Sequence, residues 1–297
     1  MSDFLQSCFL EANRSVTPGG RPNGCPVLLG CPYDGTASFR PGARFAPAAI
    51  RHASQGLESY SPNLDLDLED ISFQDLGDLE LPFADQAKAF SIISSHVDTI
   101  LNQNNISVVL GGEHTITIPI IQALLKHFPS VIASEAKQSS ALKIIQLDAH
   151  LDLRDDYLGD KTCHATVMRR ISELVGWDNI LQLGVRSGTR QEWQLATNHH
   201  TIGKLDDIAH WVGADLSCTP SVYLTVDLDV FDPGVMGGVG TPEPGGWFYS
   251  DFLQFMKQLH SIHLVGLDVV ELSPHYDPSG ASSILAAKVV RELILLL

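Results

Sequence analysis

The run Lys143-Ile-Ile-Gln-Leu, which breaks abruptly into Asp148-Ala-His150-Leu-Asp152, most restricts what this chain can become. An apolar run of that length reads as a buried strand. Successive side chains of an extended chain alternate between faces, so Asp148, His150 and Asp152 are expected to project the same way. Three potential metal ligands on one face, at the C-terminal end of a buried strand, point to metal binding or catalysis. A polar strand-to-loop exit that happens to hold a histidine is the plainer alternative. A second strand end of the same kind decides between them.

The chain supplies one. Ser221-Val-Tyr-Leu-Thr-Val is β-rich and ends in Asp227-Leu-Asp229. Further buried strands are expected over 26–30, 107–110, 180–186 and 262–271, with exits at Cys31-Pro-Tyr-Asp-Gly-Thr, at Gly111-Gly-Glu113-His114-Thr115 and at Glu271. A short strand is expected at Ile71-Ser-Phe, inside the acidic stretch 65–78, whose charges read as a solvated face. Helical spacing marks 48–54, 86–103, a segment running to Lys126 or Phe128, 165–174, 252–259 and 282–297. Strand, loop and helix in alternation predict an α/β fold, three-layer α/β/α around a central, mostly parallel sheet. It is expected to form one domain over 25–297 behind an N-terminal arm, 1–24. At 297 residues and 44% hydrophobic content there is ample chain for that core. The Ser/Ala/Lys-rich connector 129–141 is longer than usual for a helix-to-strand loop and reads as an exposed insertion.

A formal net charge of -16 argues against nucleic acid and anionic membranes as partners and suits a cationic ligand. There is no basic segment leading into an apolar run at the start, and no apolar stretch long enough to span a bilayer. The five cysteines, Cys8, Cys25, Cys31, Cys163 and Cys218, are scattered without CxxC spacing, which reads as reduced thiols in a cytoplasmic protein. Cys25 and Cys31 read as core or strand-end residues. Arg40 and Arg44 read as fixing their loop by pairing with carboxylates rather than as an anion site.

In an open parallel sheet the C-terminal strand ends share one edge, so loops far apart in sequence converge there. That edge would collect His114, Asp148, His150, Asp152, Asp227, Asp229 and Glu271. The aspartates would repel and raise one another's pKa values unless cations neutralise them. Two divalent ions carry +4 against the -4 of Asp148, Asp152, Asp227 and Asp229, so charge matching prefers two ions to one. Carboxylates and imidazoles without thiolates suit Mn2+, with Fe, Co, Ni and Zn left open. Such a pair would generate hydroxide from water at neutral pH and clamp a hydrolytic transition state.

Gly-Gly-Glu-His114, Asp148-Ala-His-Leu-Asp152 and Ser221-Val-Tyr-Leu-Thr-Val-Asp227-Leu-Asp229-Val-Phe-Asp-Pro together resemble the ureohydrolases, the family of arginase and agmatinase. Pro-Tyr-Asp-Gly-Thr and Arg40-Pro-Gly-Ala-Arg-Phe-Ala-Pro resemble that family's first loop, and the likeness runs from about Cys31 to the C-terminal helix. The resemblance implies one Mn2+ on His114, Asp148, Asp152 and Asp227 and another on Asp148, His150, Asp227 and Asp229. It implies hydrolysis of a guanidinium group to urea and an amine. Asp152 would take the hydroxide's proton to the leaving amine, Glu271 would pair with the guanidinium, and His164 would relay protons. It also implies a homotrimer or homohexamer. Two positions depart from the family pattern. Glu113 stands where many members have Asp, and is expected to serve as partner of the ligand histidine; Ala46 replaces a common Gly.

Residues 151–170 look like agmatinases rather than arginases, whose Asn and Ser loop holds an amino acid. An acidic mouth of Asp155, Asp156 and Asp160 would favour a small cationic guanidino substrate with a free terminal amine. Agmatine, giving putrescine for polyamine biosynthesis, fits first and aminopropylagmatine next. Guanidinobutyrase, arginase and formimidoylglutamase activities follow, and a non-catalytic metal-binding scaffold is the reading of another class.

Overall fold

The computed structural model describes residues 8–11, 24–128, 142–213 and 220–297. The connector 129–141, Cys218 and most of the N-terminal arm lie outside the described residues. Among the described residues seven strands form one sheet: β1 (Pro26–Cys31), β4 (Gln74–Asp78), β5 (Ile106–Gly111), β6 (Lys143–Leu147), β7 (Ile180–Leu183), β8 (Ser221–Asp227) and β9 (His263–Val270). Their order is β4-β1-β5-β9-β8-β6-β7, and every pairing is parallel. A small antiparallel pair, β2 (Tyr60–Ser61) and β3 (Leu66–Asp67), stands apart from it.

The helices are α1 (Ala46–Ser54), α2 (Gln86–Asn102), α3 (Thr117–His127), α4 (Val167–Val175), α5 (Arg190–His199), α6 (Ile208–Val212), α7 (Tyr249–Gln258) and α8 (Ala281–Leu296). Alternate residues of each buried strand feed two separate cores. Leu28, Val108, Leu110 and Val226 meet Ile50 of α1, Phe252 and Phe255 of α7 and Val290 and Leu293 of α8. Val27, Leu29 and Val109 meet Ile93 and Val97 of α2, Ile121 of α3 and Ile171 of α4. The continuous apolar runs are thus a sheet covered on both faces, the three-layer α/β/α arrangement read from the sequence. No helix among the described residues is long and apolar enough to cross a membrane.

The chain leaves β5 for β6 on the far side of the sheet, and β9 and β8 later fill the space between. Four strands whose exits carry acidic or imidazole groups therefore lie side by side.

Three local expectations are corrected. The strand expected at Ile71-Ser-Phe lies at Gln74–Asp78, past a 3-10 turn over Leu68–Asp70. Nor is that stretch wholly solvated. Asp75 turns inward and accepts from Nε and Nη2 of buried Arg51 at 2.8 Å each, and Arg51 Nη1 donates to Asp78. A carboxylate can be buried there because a planar guanidinium meets both its oxygens. The strand expected over 180–186 ends at Leu183, because Gly184 turns away with a φ of 86°. Helices α5 and α6 carry no sequence expectation, although Thr189 and Glu192 form a capping box at the start of α5.

In the first loop Arg44 pairs with a carboxylate as read, whereas Arg40 meets a backbone carbonyl and the Tyr276 ring instead. Arg44 Nε lies 2.8 Å from Asp34 Oδ1, and Arg40 donates to the Gly237 carbonyl at 2.9 Å. Ala46 sits at the start of α1 with a φ of -59°, a conformation open to any residue, so the missing glycine changes nothing there.

Candidate active site

Gly112 brings the first two loops together. A Cβ there would lie 1.8 Å from the Tyr33 carbonyl oxygen, so only glycine lets Glu113 N–H reach that carbonyl at 2.7 Å. The chain then turns into the 3-10 segment His114–Ile116, which aims the buried His114 ring across the ends of β9, β8 and β6. His114 Nδ1 lies 3.1 Å from Asp152 Oδ2, 3.2 Å from Asp148 Oδ2 and 3.5 Å from Asp227 Oδ2.

The other ring nitrogen fixes the tautomer. Thr225 donates its hydroxyl to Asp268 Oδ1 at 2.6 Å, and its oxygen lies 3.0 Å from His114 Nε2. The hydroxyl proton being committed, Thr225 accepts the Nε2–H, and Nδ1 is left to face the carboxylates, which raise the His114 pKa well above its usual value and hold a proton there when no cation is bound. Tyr223 and Thr117 donate to Asp268 Oδ2 at 2.7 and 2.9 Å.

A second group adjoins the first. His150 Nδ1 lies 2.9 Å from Asp229 Oδ2 and 3.5 Å from Asp148 Oδ1, so Asp148 presents one oxygen to each imidazole. Asp229 is held by Ala149 N–H at 3.0 Å and the Thr241 hydroxyl at 3.1 Å, and Asp227 accepts from Asp229 N–H at 2.9 Å. Gln146 donates to Asp148 Oδ2 at 2.6 Å and is itself held by Gln182.

Asp148, His150 and Asp152 do not converge by strand alternation, because β6 stops at Leu147. Asp152 instead swings in from a left-handed backbone, φ 52°, and Glu271 enters from the β9 side with φ 69°. Such conformations cost about 1–3 kcal/mol each and persist where the surroundings impose them. Here Asp152 C=O accepts from Arg169 N–H, while Glu271 donates its N–H to Gly112 and accepts His114 N–H on Oε1 at 2.7 Å.

The fit to cations rests on His114 Nδ1, a buried nitrogen without a hydrogen-bond partner, facing three carboxylate oxygens. A lone pair and carboxylates can meet at that distance only around a proton or a metal cation. His114 with Asp148 and Asp152, and Asp148 with His150 and Asp229, each bring their ligand atoms within 4.8 Å of one another. Carboxylate and imidazole donors suit divalent Mn and its neighbours. Without cations, burial and the charge of Asp148 push Asp152 up to about 7, and burial and Glu113 push Glu271 up to about 8. Burial, Asp229 and Asp148 likewise raise Asp227 well above the carboxylate range.

Three expected partners sit elsewhere. Glu113 is not the partner of His114. It points back to Thr36, accepting from its N–H at 2.9 Å and its hydroxyl at 2.8 Å, and takes the Thr115 hydroxyl at 2.6 Å. Thr36 in turn accepts His164 N–H at 3.1 Å, and Ser38 Oγ lies 3.2 Å from His164 Nε2. Asp155 pairs on the exposed surface with Arg170 at 2.6 Å, and Asp156 caps a turn through Gly159 N–H. Neither lines the cavity.

That cavity, about 310 Å³, reaches His114, His150, Asp152, Asp227, His164 and Glu271 at its base. Arg154, Tyr157, Ser187, Thr189 and Glu192 complete its lining. Arg154 lies over the Tyr157 ring at 4.7 Å and 3.5 Å from Glu192, and Tyr157 meets the His164 ring edge-on at 5.7 Å. Sequence reading missed Thr225, Asp268, Gln146, Gln182 and Thr241. Thr225 and Asp268, polar within otherwise apolar β8 and β9, were the available signal.

The sequence model of the Arginase family matches residues 26–296. The agmatinase of Halalkalibacterium halodurans is 38% identical over 273 residues, 91% of each chain. A solved structure described as a putative agmatinase from Clostridium difficile superposes with a TM-score of 0.84 at 38% identity, covering 92% of this chain and 97% of that one. The proclavaminate amidino hydrolase of Streptomyces clavuligerus gives 0.83 at 29% identity, over 98% and 96%.

Proposed function

The chain belongs to the arginase family and is an agmatinase-like ureohydrolase, and we propose that agmatine is its substrate, hydrolysed to putrescine and urea. The observation that carries the site is the buried His114 Nδ1 facing Asp148, Asp152 and Asp227. Agmatine itself is supported by the agmatinase relatives.

Two Mn2+ ions would be held by His114, Asp148, Asp152 and Asp227 and by Asp148, His150, Asp227 and Asp229. When bound, such a pair supplies water activation at neutral pH and positive charge for the transition state. The remaining work falls to the chain. Glu271 borders the same cavity and offers Oε2 to a guanidinium N–H, its Oε1 being held by His114 N–H. Asp152 accepts the proton released from water and returns it to the leaving amine. His164, half-buried between Thr36, Ser38 and Tyr157, is held below its usual pKa first by desolvation, so it is a neutral acceptor and donor at the cavity wall. The family resemblance supports a homotrimer or homohexamer acting in the cytoplasm, in polyamine biosynthesis.

Arg154 favours a second reading. A cation in the cavity lining, with Asp155 and Asp156 off the cavity, suits a guanidino acid such as 4-guanidinobutyrate. Urea release from agmatine, 4-guanidinobutyrate and arginine, assayed in parallel with added Mn2+, separates the readings. Agmatine is expected to be fastest; a faster guanidino acid would replace it, and no urea from any of them would sink the enzymatic reading.

A further inference from the structure

Arg186 leaves β7 and folds its guanidinium under the loop that carries Asp229. Nη2 donates to the carbonyls of Asp229 and Glu243 at 2.7 Å each, and Nη1 donates to those of Gly184 and Val230 at 3.1 Å. Nε reaches Glu243 and Pro244 at 3.2 Å. Its backbone N–H donates to Ala149 C=O at 2.8 Å, beside His150, and Ser187 pairs with His150 in a bridge. Gly246 makes the space: a Cβ there would lie 2.6 Å from Arg186 Nη2 and 2.5 Å from Asp232 N.

Arg186 thus ties three segments, the first through its backbone N–H and the other two through its guanidinium. The first holds His150, the second Asp229, and the third Thr241, whose hydroxyl lies 3.1 Å from Asp229 Oδ2. Ser187 strengthens the tie by donating to Glu243 Oε1 at 2.8 Å. None of these hydrogen bonds reaches His114 or Asp152. A guanidinium is suited to the task because its five donors lie in a fixed plane and never lose their charge, so the carbonyls of several loops can be gathered at once.

We propose that Arg186 is the positioning residue that holds the Asp229 loop in register with His150 for the second ion, and that it serves this ion more than the first, which it reaches only through the Asp229 N–H on Asp227. The inference rests on the two-ion reading. It applies the general rule that groups behind a ligand set its orientation, here through the backbone.

The test is Mn2+ binding to metal-free protein by titration calorimetry, in the wild type and in Arg186→Gln, Arg186→Lys and Gly246→Ala. Wild type is expected to take two equivalents. Arg186→Gln should weaken one of the two binding steps by roughly 10–100-fold and the other distinctly less. Arg186→Lys should fall between, because one ammonium cannot span the same carbonyls. Gly246→Ala, which crowds the guanidinium from outside, should weaken the same step, and it carries the test if Arg186→Gln does not fold. A clamp of structural importance alone would lower the unfolding temperature of every variant while both steps kept wild-type affinity. That result in a folded variant overturns the assignment, as does equal weakening of both steps. A wild type that binds a single equivalent overturns the two-ion reading and this assignment with it.

Discussion

Asp75 and Asp78 meet Arg51 at one edge of the sheet, while Asp148, Asp152, Asp227 and Asp229 meet two imidazoles near its centre. Both sets are largely removed from water. At the edge, Asp75 is saturated: Arg51 takes both oxygens, and Phe9 and Gly77 N–H groups add to it at 2.9 Å. Burial would raise its pKa, yet Arg51 and these N–H groups hold it below the usual range. At the centre four carboxylates share two imidazoles: His114 and His150 hold Asp148 down, while Asp152 and Asp227 are driven upward. Burial of acids does not by itself mark a site. Unmet charge does, because a structural cluster completes its own partners and a binding cluster leaves room for one.

The contrast is broken most severely at Asp229. Asp229→Ala should remove a ligand group and uncouple Ala149 and Thr241, with urea release falling well beyond the roughly 10–100-fold that loss of an outer partner causes. Metal analysis should show Mn2+ lost in parallel, while chemical denaturation of the metal-free protein shows little change. Activity surviving with full metal would mean the ions bind elsewhere. At the edge the pattern should invert. Arg51→Leu leaves Asp75 buried and unpaired, and should cost about 3–5 kcal/mol of unfolding free energy while Mn2+ stoichiometry is kept in the folded fraction. A smaller disturbance tests the link behind His114. Thr225→Val removes the acceptor of the Nε2–H, frees the tautomer, and should weaken Mn2+ affinity by roughly 10–100-fold, read by calorimetry.

Much of this was legible in the sequence for a physical reason. A buried parallel strand must be apolar on both faces, so its polar exit stands out, and parallel topology brings exits together whatever their separation in the chain. Asp148, Asp227 and Glu271 could be found that way. The turn that delivers Asp152 could not, because a left-handed aspartate leaves no pattern in its neighbours. Glu113 was misassigned because adjacency to His114 in sequence says nothing about direction; its backbone faces the Tyr33 loop, and the true partners, Thr225 and Asp268, lie on other strands. Asp155 and Asp156 looked like a mouth because their charges are clustered, whereas Arg170 and a turn already use them.

The two clusters should also pull stability in opposite directions with pH. Asp75 has a folded pKa below its unfolded value of about 3.9, so its contribution is complete above that value and is lost as pH falls through the folded one. Asp152 and Glu271 are raised, to about 7 and about 8, so without cations the folded state binds more protons than the unfolded chain between about pH 4 and those values. Their contribution is therefore present at low pH and is lost as pH rises through 7 and 8. Metal-free protein, unfolded with denaturant across pH 3 to 9, should weaken at both ends. Asp75→Asn should reduce only the acid limb, the remainder of which includes Asp148, held low by His114 and His150. Saturating Mn2+ should reverse only the neutral limb, because the ions take the place of the protons. A neutral limb unmoved by Mn2+ would separate the raised carboxylates from the metal positions and remove the distinction between the two clusters.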